Sequence, residues 1–167
     1  MGDDMNKLRF FYSDDNSDVI SAELEKHGYS KVVDFRDLKS RLQETGASDG
    51  IEFGFAFESD GKGIPSDVEN FIAGLIALFD DCKFDYLFAI SHGKEAKFNL
   101  YVLESVLMGF GACLSYMKAA ADSNEAETIA KEASDGKISL VSRPLFYMRY
   151  VKQSEGRINA KLESAKL

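Results

Sequence analysis

The 167-residue chain has no tryptophan, two cysteines, two histidines and two prolines. Two cysteines, Cys82 and Cys113, exclude a disulfide scaffold, a four-cysteine zinc site and an iron–sulfur ligand set. The histidines, His27 and His92, stand apart without HxxH or CxxC spacing, which argues against a transition-metal centre. The longest apolar run, Phe71 to Phe79, has nine residues. A bilayer span needs ~20, so no membrane association is expected. Asp3 and Asp4 stand where a signal peptide would carry basic charge, so no leader is expected and a cytoplasmic location follows. Positive charge is also short, with 20 Lys and Arg against 28 Asp and Glu and a net charge of -8. Ser142 to Leu167 holds six basic and two acidic residues, which leaves -12 on residues 1–141. An acidic body repels nucleic acid, so no nucleic-acid partner is expected; it also steers basic protein partners.

What is present is the composition of one globular domain, 45% hydrophobic and 29% charged. Leu8 to Tyr12 reads as a buried strand. Ser17 is placed to cap a helix with apolar residues Val19, Ile20 and Leu24, which Gly28 ends. Lys31 to Phe35 is a second strand, and Arg36 to Thr45 an amphipathic helix closed by Gly46. Ile51 to Phe57 is a third strand, followed by a loop containing Gly61, Gly63 and Pro65. Val68, Phe71, Ile72, Leu75 and Leu78 then mark a helix by their i, i+3, i+4, i+7 spacing. Phe84 to Ile90 is a fourth strand, followed by the loop Ser91 to Lys94 and a helix over Phe98 to Leu107. Ala112 to Met117 is a fifth strand, with Cys113 a buried apolar residue in it, and Ser123 to Ala133 a capped helix. Apolar strands alternating with helical crossovers predict a five-stranded parallel sheet with helices on both faces.

In open α/β sheets, ligands bind outside the carboxyl ends of the strands. That rule gathers Ser13 to Ser17, Glu58 to Ile64, Ser91 to Lys94 and Lys118 to Asp122 at one rim. His27, by contrast, reads as a helix-end residue bonded to the last carbonyls.

Two stretches, IEFGFAFESDGKGIPSDVENFIAGL (Ile51 to Leu75) and FDYLFAISHGKEAKFNLYVLESVLMGFGACLSYMKAA (Phe84 to Ala120), resemble the flavodoxin-like family of FMN-binding proteins. The likeness runs from about Lys7 to Ala133. It implies a three-layer flavodoxin-like domain over residues 1–141 and a basic, helical extension over 142–167, packed on that domain or projecting from it. In the extension, Leu145, Phe146, Tyr147 and Tyr150 interleave with cations, a pattern suited to docking a terminal helix. The resemblance further implies an FMN-binding electron-transfer protein, either a carrier or a small flavin-dependent oxidoreductase, working with a redox partner protein. Ser13, Asp15, Asn16 and Ser17 then fall on the family's phosphate loop. Ser59, Asp60, Gly61 and Gly63 fall on one ring-side loop, and Ser91, His92, Gly93 and Lys94 on the other. Physically, a phosphate loop supplies backbone N–H groups and hydroxyls at a helix N-terminus. Here it lacks glycine and holds Asp14, Asp15 and Asp18. Each aspartate 4 Å from a phosphate charge costs ~1 kcal/mol in water and ~4 kcal/mol at an effective dielectric of 20.

LRFFYSDDNS (Leu8 to Ser17) also resembles the first strand and acidic pair of response-regulator receiver domains. That likeness implies Mg²⁺ at Asp14 and Asp15, a phosphoacceptor at Glu58 or Asp60, and supporting roles for Ser91 and Lys118. A third reading is a binding protein that keeps the flavodoxin-like fold without a cofactor.

Overall fold

The computed structural model describes residues 8–46, 48–61, 63–139 and 148–166. Five strands form one sheet: β1 (Leu8–Ser13), β2 (Ser30–Val32), β3 (Ile51–Asp60), β4 (Phe84–Lys94) and β5 (Tyr116–Ala120). Their order is β2-β1-β3-β4-β5, and every pair is parallel. The helices are α1 (Asp18–Lys26), α2 (Phe35–Thr45), α3 (Ser66–Leu78), α4 (Ala96–Gly109), α5 (Ala126–Ser134) and α6 (Met148–Lys166), with a 3₁₀ turn at Ser123–Glu125. The architecture is a flavodoxin-like three-layer sandwich.

Side-chain alternation along the strands divides the core between the two faces. Phe53, Phe55, Phe57, Leu87 and Ala89 meet α2, α3, α4 and α6. Phe11, Ala56, Phe88, Ile90 and Tyr116 meet α1 and α5. Gly54 leaves room for the Phe88 ring of the neighbouring strand β4, since a Cβ there would lie 2.1 Å from it. Helix α6 lies across α3 and α4, burying Val151, Ile158 and Leu162. Two of its basic residues meet the acidic body at one carboxylate: Arg157 grips Glu69 with bonds from Nε and Nη2 at 2.8–3.1 Å, and Lys161 stands 3.6 Å from it. Leu145, Phe146 and Tyr147 lie outside the described residues, and the same holds for the Tyr150 side chain.

Several boundaries differ from the sequence reading for definable reasons. Strand β2 is three residues long because the Asp34 side chain accepts from the Asp37 N–H and starts α2. Helix α4 ends in a glycine-closed turn in which the Ala112 N–H bonds Leu107 O at 2.9 Å. The fifth strand therefore begins at Tyr116, after the Ser115 N–H has bonded Leu87 O at 2.7 Å. This shift leaves Cys113 exposed outside the sheet rather than buried within it. In α1 the inward face is Ile20, Ser21 and Leu24, while Val19 is exposed.

Candidate functional site

The largest departure from the expected loops lies at the rim itself. Strand β3 continues through Glu58, Ser59 and Asp60, and β4 through Ser91, His92, Gly93 and Lys94. These extensions pair with each other, Phe57 opposite Ser91 through Asp60 opposite Lys94. Ser59 and Ser91 are buried, with their hydroxyls 2.7 Å apart and the Ser91 hydroxyl donating to Phe57 O at 2.8 Å. Polar residues thus continue both strands because every hydroxyl on the inner face is satisfied within the ladder. Gly93 allows the close pairing: its φ is 94°, and a Cβ there would meet Ser59 O at 2.5 Å. Only Glu95, at φ 60°, separates β4 from α4.

The turn after β1 is organised by Asp14. Its Oδ1 accepts from the Ser17 hydroxyl at 2.6 Å and the Asn16 N–H at 3.3 Å. Its Oδ2 accepts from the Glu58 N–H at 2.8 Å. Ser17 precedes α1 but makes no side-chain cap bond, because its hydroxyl is held by Asp14. The Ser17 oxygen also lies 2.9 Å from His92 Nε2. A carboxylate only accepts, so the single Ser17 proton goes to Asp14, and His92 completes the contact as an Nε2–H donor. Ser13 is buried and donates to Asp14 O at 3.1 Å.

Two clefts flank this turn. One, of about 280 Å³, has Asp15, Asn16, Ser17, Val19, His92 and Asp122 among its lining residues. The other, of about 460 Å³, is walled by Tyr12, Asp15, Lys31, Glu58, Asp60 and Asp67. Tyr12 donates to Asp67 at 2.6 Å. Burial, and then that bond to Asp67, pushes the Tyr12 phenol well above its ordinary range and keeps it a neutral donor. The structure therefore gathers Ser13, Asp15, Asn16, Ser17, Asp60, His92 and Gly93 around these two clefts. Ser59 and Ser91 face the interior, and exposed Gly61 packs near the Lys94 stem, 3.2 Å from where its Cβ would be. Gly63 lines neither cleft.

The residues do not fit FMN as arranged. Two donors of the first turn, the Asn16 N–H and the Ser17 hydroxyl, already serve Asp14. The two segments expected to frame a planar ring pair instead with each other, from Phe57 opposite Ser91 to Asp60 opposite Lys94. The receiver-like constellation is not assembled either. Lys118 lies within β5, two residues before its end, and its charge acts on α5. There Lys137 first, then Tyr116 and more weakly Lys118 hold Glu132 below the ordinary carboxylate range. Among the described residues no three His, Cys, Asp or Glu side chains form a metal-ligand cluster.

Asp14 as an internal acceptor is what the sequence reading missed. The available signal was the spacing Asp14-x-Asn16-Ser17, in which an aspartate accepts from the N–H two residues on and a hydroxyl three residues on. Compared with protein-family models, curated proteins and solved structures, the chain matches none of them.

Proposed function

We propose that this chain is a cofactor-independent binding module on a flavodoxin-like scaffold, with an acidic carboxyl-end rim that receives a cationic partner. The observation that carries this reading is the Asp14 carboxylate, which takes the Asn16 N–H, the Ser17 hydroxyl and the Glu58 N–H for itself. The charge of the rim supports it. Asp15, Asp18, Glu58, Asp60 and Asp122 are exposed there, with Lys94 the nearby exposed cation of the β4 extension. A dianion meets repulsion from several carboxylates at once, whereas a basic side chain or amine is attracted from a distance.

The test is a visible absorption spectrum of freshly purified protein followed by titration with FMN. The expected outcome is a colourless protein that neither quenches flavin fluorescence nor gives a saturable binding isotherm. Saturable binding at micromolar FMN would restore the redox reading. Mg²⁺ with beryllofluoride is expected to leave the thermal midpoint unchanged, and a clear rise would favour the receiver-like alternative.

A further inference from the structure

We propose that the open edge of β5 is a docking strip for an extended peptide segment in which acidic and apolar side chains alternate. This surface is a side of the sheet rather than its carboxyl-end rim, and it takes a partner of the opposite charge.

Strand β5 is the last in the order β2-β1-β3-β4-β5, so one side of it has no strand partner among the described residues. An edge strand offers its unpaired N–H and C=O groups as a template for another chain. The chain itself meets this edge at its two ends. At the start of β5 the Met117 N–H donates to Ser139 Oγ at 3.0 Å, and the Ser139 N–H donates to Ser115 O at 2.9 Å. Just past its end the Ala121 N–H donates to Glu125 Oε2 at 3.1 Å. Backbone groups of alternate residues point to opposite sides of a strand. Ala119, two residues from both Met117 and Ala121, therefore turns outward with them. The Met117 carbonyl and the Ala119 N–H and carbonyl form a window in which an incoming strand makes three hydrogen bonds.

Beside this window a groove of about 300 Å³ runs between β5 and α4, lined by Lys97, Leu100, Tyr101, Met117, Lys118 and Ala119. Met117 and Ala119 face the core beneath α4, so Lys118 between them faces the other side of the sheet. A strand added here sends alternate side chains into the groove, onto Leu100, Tyr101 and Met117, and the intervening ones toward Lys118. That alternation gives strand addition its specificity. Charge names the second class of side chain. No carboxylate lines the groove, although the chain carries a net charge of -8. Lys97 and Lys118 are both exposed. On the Lys118 side, Glu132 is already bonded to Lys137 at 2.7 Å and to Tyr116 at 2.6 Å. Glu125 closes the far end of the window and disfavours a carboxylate there, so the acidic position lies beside Lys118. Charges beyond a Debye length of ~10 Å are screened, and the two nearby lysines set the local sign. A second copy paired edge to edge would place two Lys118 side chains close on one face of the joined sheet. Edge lysines oppose such pairing, which favours an acidic segment over another copy of this chain.

The experiment titrates the full chain with an end-blocked peptide, Glu-Val-Glu-Val-Glu, and follows backbone amides by two-dimensional NMR. The Ala119 amide is expected to move saturably, while the Asn16 amide at the rim stays in place. The same peptide N-methylated throughout has no N–H to give the carbonyls of Met117 and Ala119, and it should not bind. Lys-Val-Lys-Val-Lys should bind this edge more weakly than the acidic peptide. Lys118→Glu should weaken the acidic peptide by about fivefold or more and reverse the order of the two peptides. Lys97→Glu, on a different element, should weaken it in the same direction, so the outcome does not hang on one variant folding. No saturable movement of Ala119 with the acidic peptide would overturn the proposal. Equal binding of the N-methylated or the lysine peptide would do the same. Sedimentation of the chain alone supplies the last arm, with a monomer expected. A dimer that Lys118→Glu abolishes or strengthens would make another copy the occupant of the edge and also overturn it.

Discussion

Arg9 enters β1 at the end of the sheet opposite the candidate site and fastens three elements there. Its Nε donates to Glu52 at 3.3 Å, Nη1 to His27 O at 3.2 Å and to Ser134 Oγ at 3.0 Å, and Nη2 to Ser134 O at 2.8 Å. The guanidinium also lies over the Tyr29 ring, 5.0 Å from its centroid. His27 and Ser134 close α1 and α5, so one cation satisfies terminal carbonyls and meets the negative ends of two helix dipoles. Arg9→Met keeps the apolar stem but leaves Glu52 and those carbonyls without this partner. It is expected to cost about 3 kcal/mol in urea denaturation. Adding Glu52→Gln should recover part of that loss, because the uncompensated charge is then gone; full additivity of the two costs would contradict the pairing. His27 does end a helix, as its position in the sequence suggested. The chain order held no sign, however, that its carbonyl would be met by an arginine 18 residues earlier.

At the scale of elements, legibility followed hydropathy. Ile51 to Phe57 and Phe84 to Ile90 were plain as strands because both faces are apolar. The continuations through Asp60 and Lys94 were not, because Ser59 and Ser91 replace burial by mutual hydrogen bonding, which has no hydropathy signature. The rim could therefore be located by topology, but whether its two middle segments were open loops or paired strands could not. Helix α2 starts on a local device that the sequence reading, which ran the second strand through Phe35, did not identify. Asp34 Oδ1 accepts from the Asp37 N–H at 2.9 Å, and Asp37 Oδ2 accepts from the Val33 N–H at 2.9 Å, a reciprocal capping arrangement. The bond from Val33 is the main cause that holds the Asp37 carboxyl below the ordinary range; burial opposes it, and Arg41 lowers it further. A depressed folded-state value means the stabilisation is present above the unfolded aspartate range, ~3.9, and is lost as pH falls through the folded value. Asp37→Ala should therefore cost about 1 kcal/mol at neutral pH. The gap between variant and wild type should narrow below pH ~4, and a gap that persists undiminished in acid would show that the carboxylate is not its source.

For the whole molecule, the uneven charge of the sequence resolves into one contact surface, where basic α6 covers α3 and α4. Two interactions hold it there, and they are unequal. Val151, Ile158 and Leu162 are buried; at ~1.5–3 kcal/mol per side chain this supplies about 4.5 to 9 kcal/mol. That is comparable to the stability of an entire domain, ~5–15 kcal/mol. The ion pairs set position more than strength. Glu69 is 3% exposed, but Arg157 is 50% exposed, and Lys161 stands 3.6 Å from the same carboxylate as a second cation. Water and Lys161 can therefore compensate when Arg157 is removed. Arg157→Gln is expected to cost about 1 kcal/mol. Ile158→Asp places a charge where the native residue is fully buried and should cost more than ~4 kcal/mol, releasing α6. The released chain would bare the apolar strip of α3 and α4 and bind a hydrophobic dye while its far-ultraviolet helical signal persists in part. If Arg157→Gln proved the more damaging of the two, α6 would be held by charge rather than by burial, and its attachment would weaken with salt.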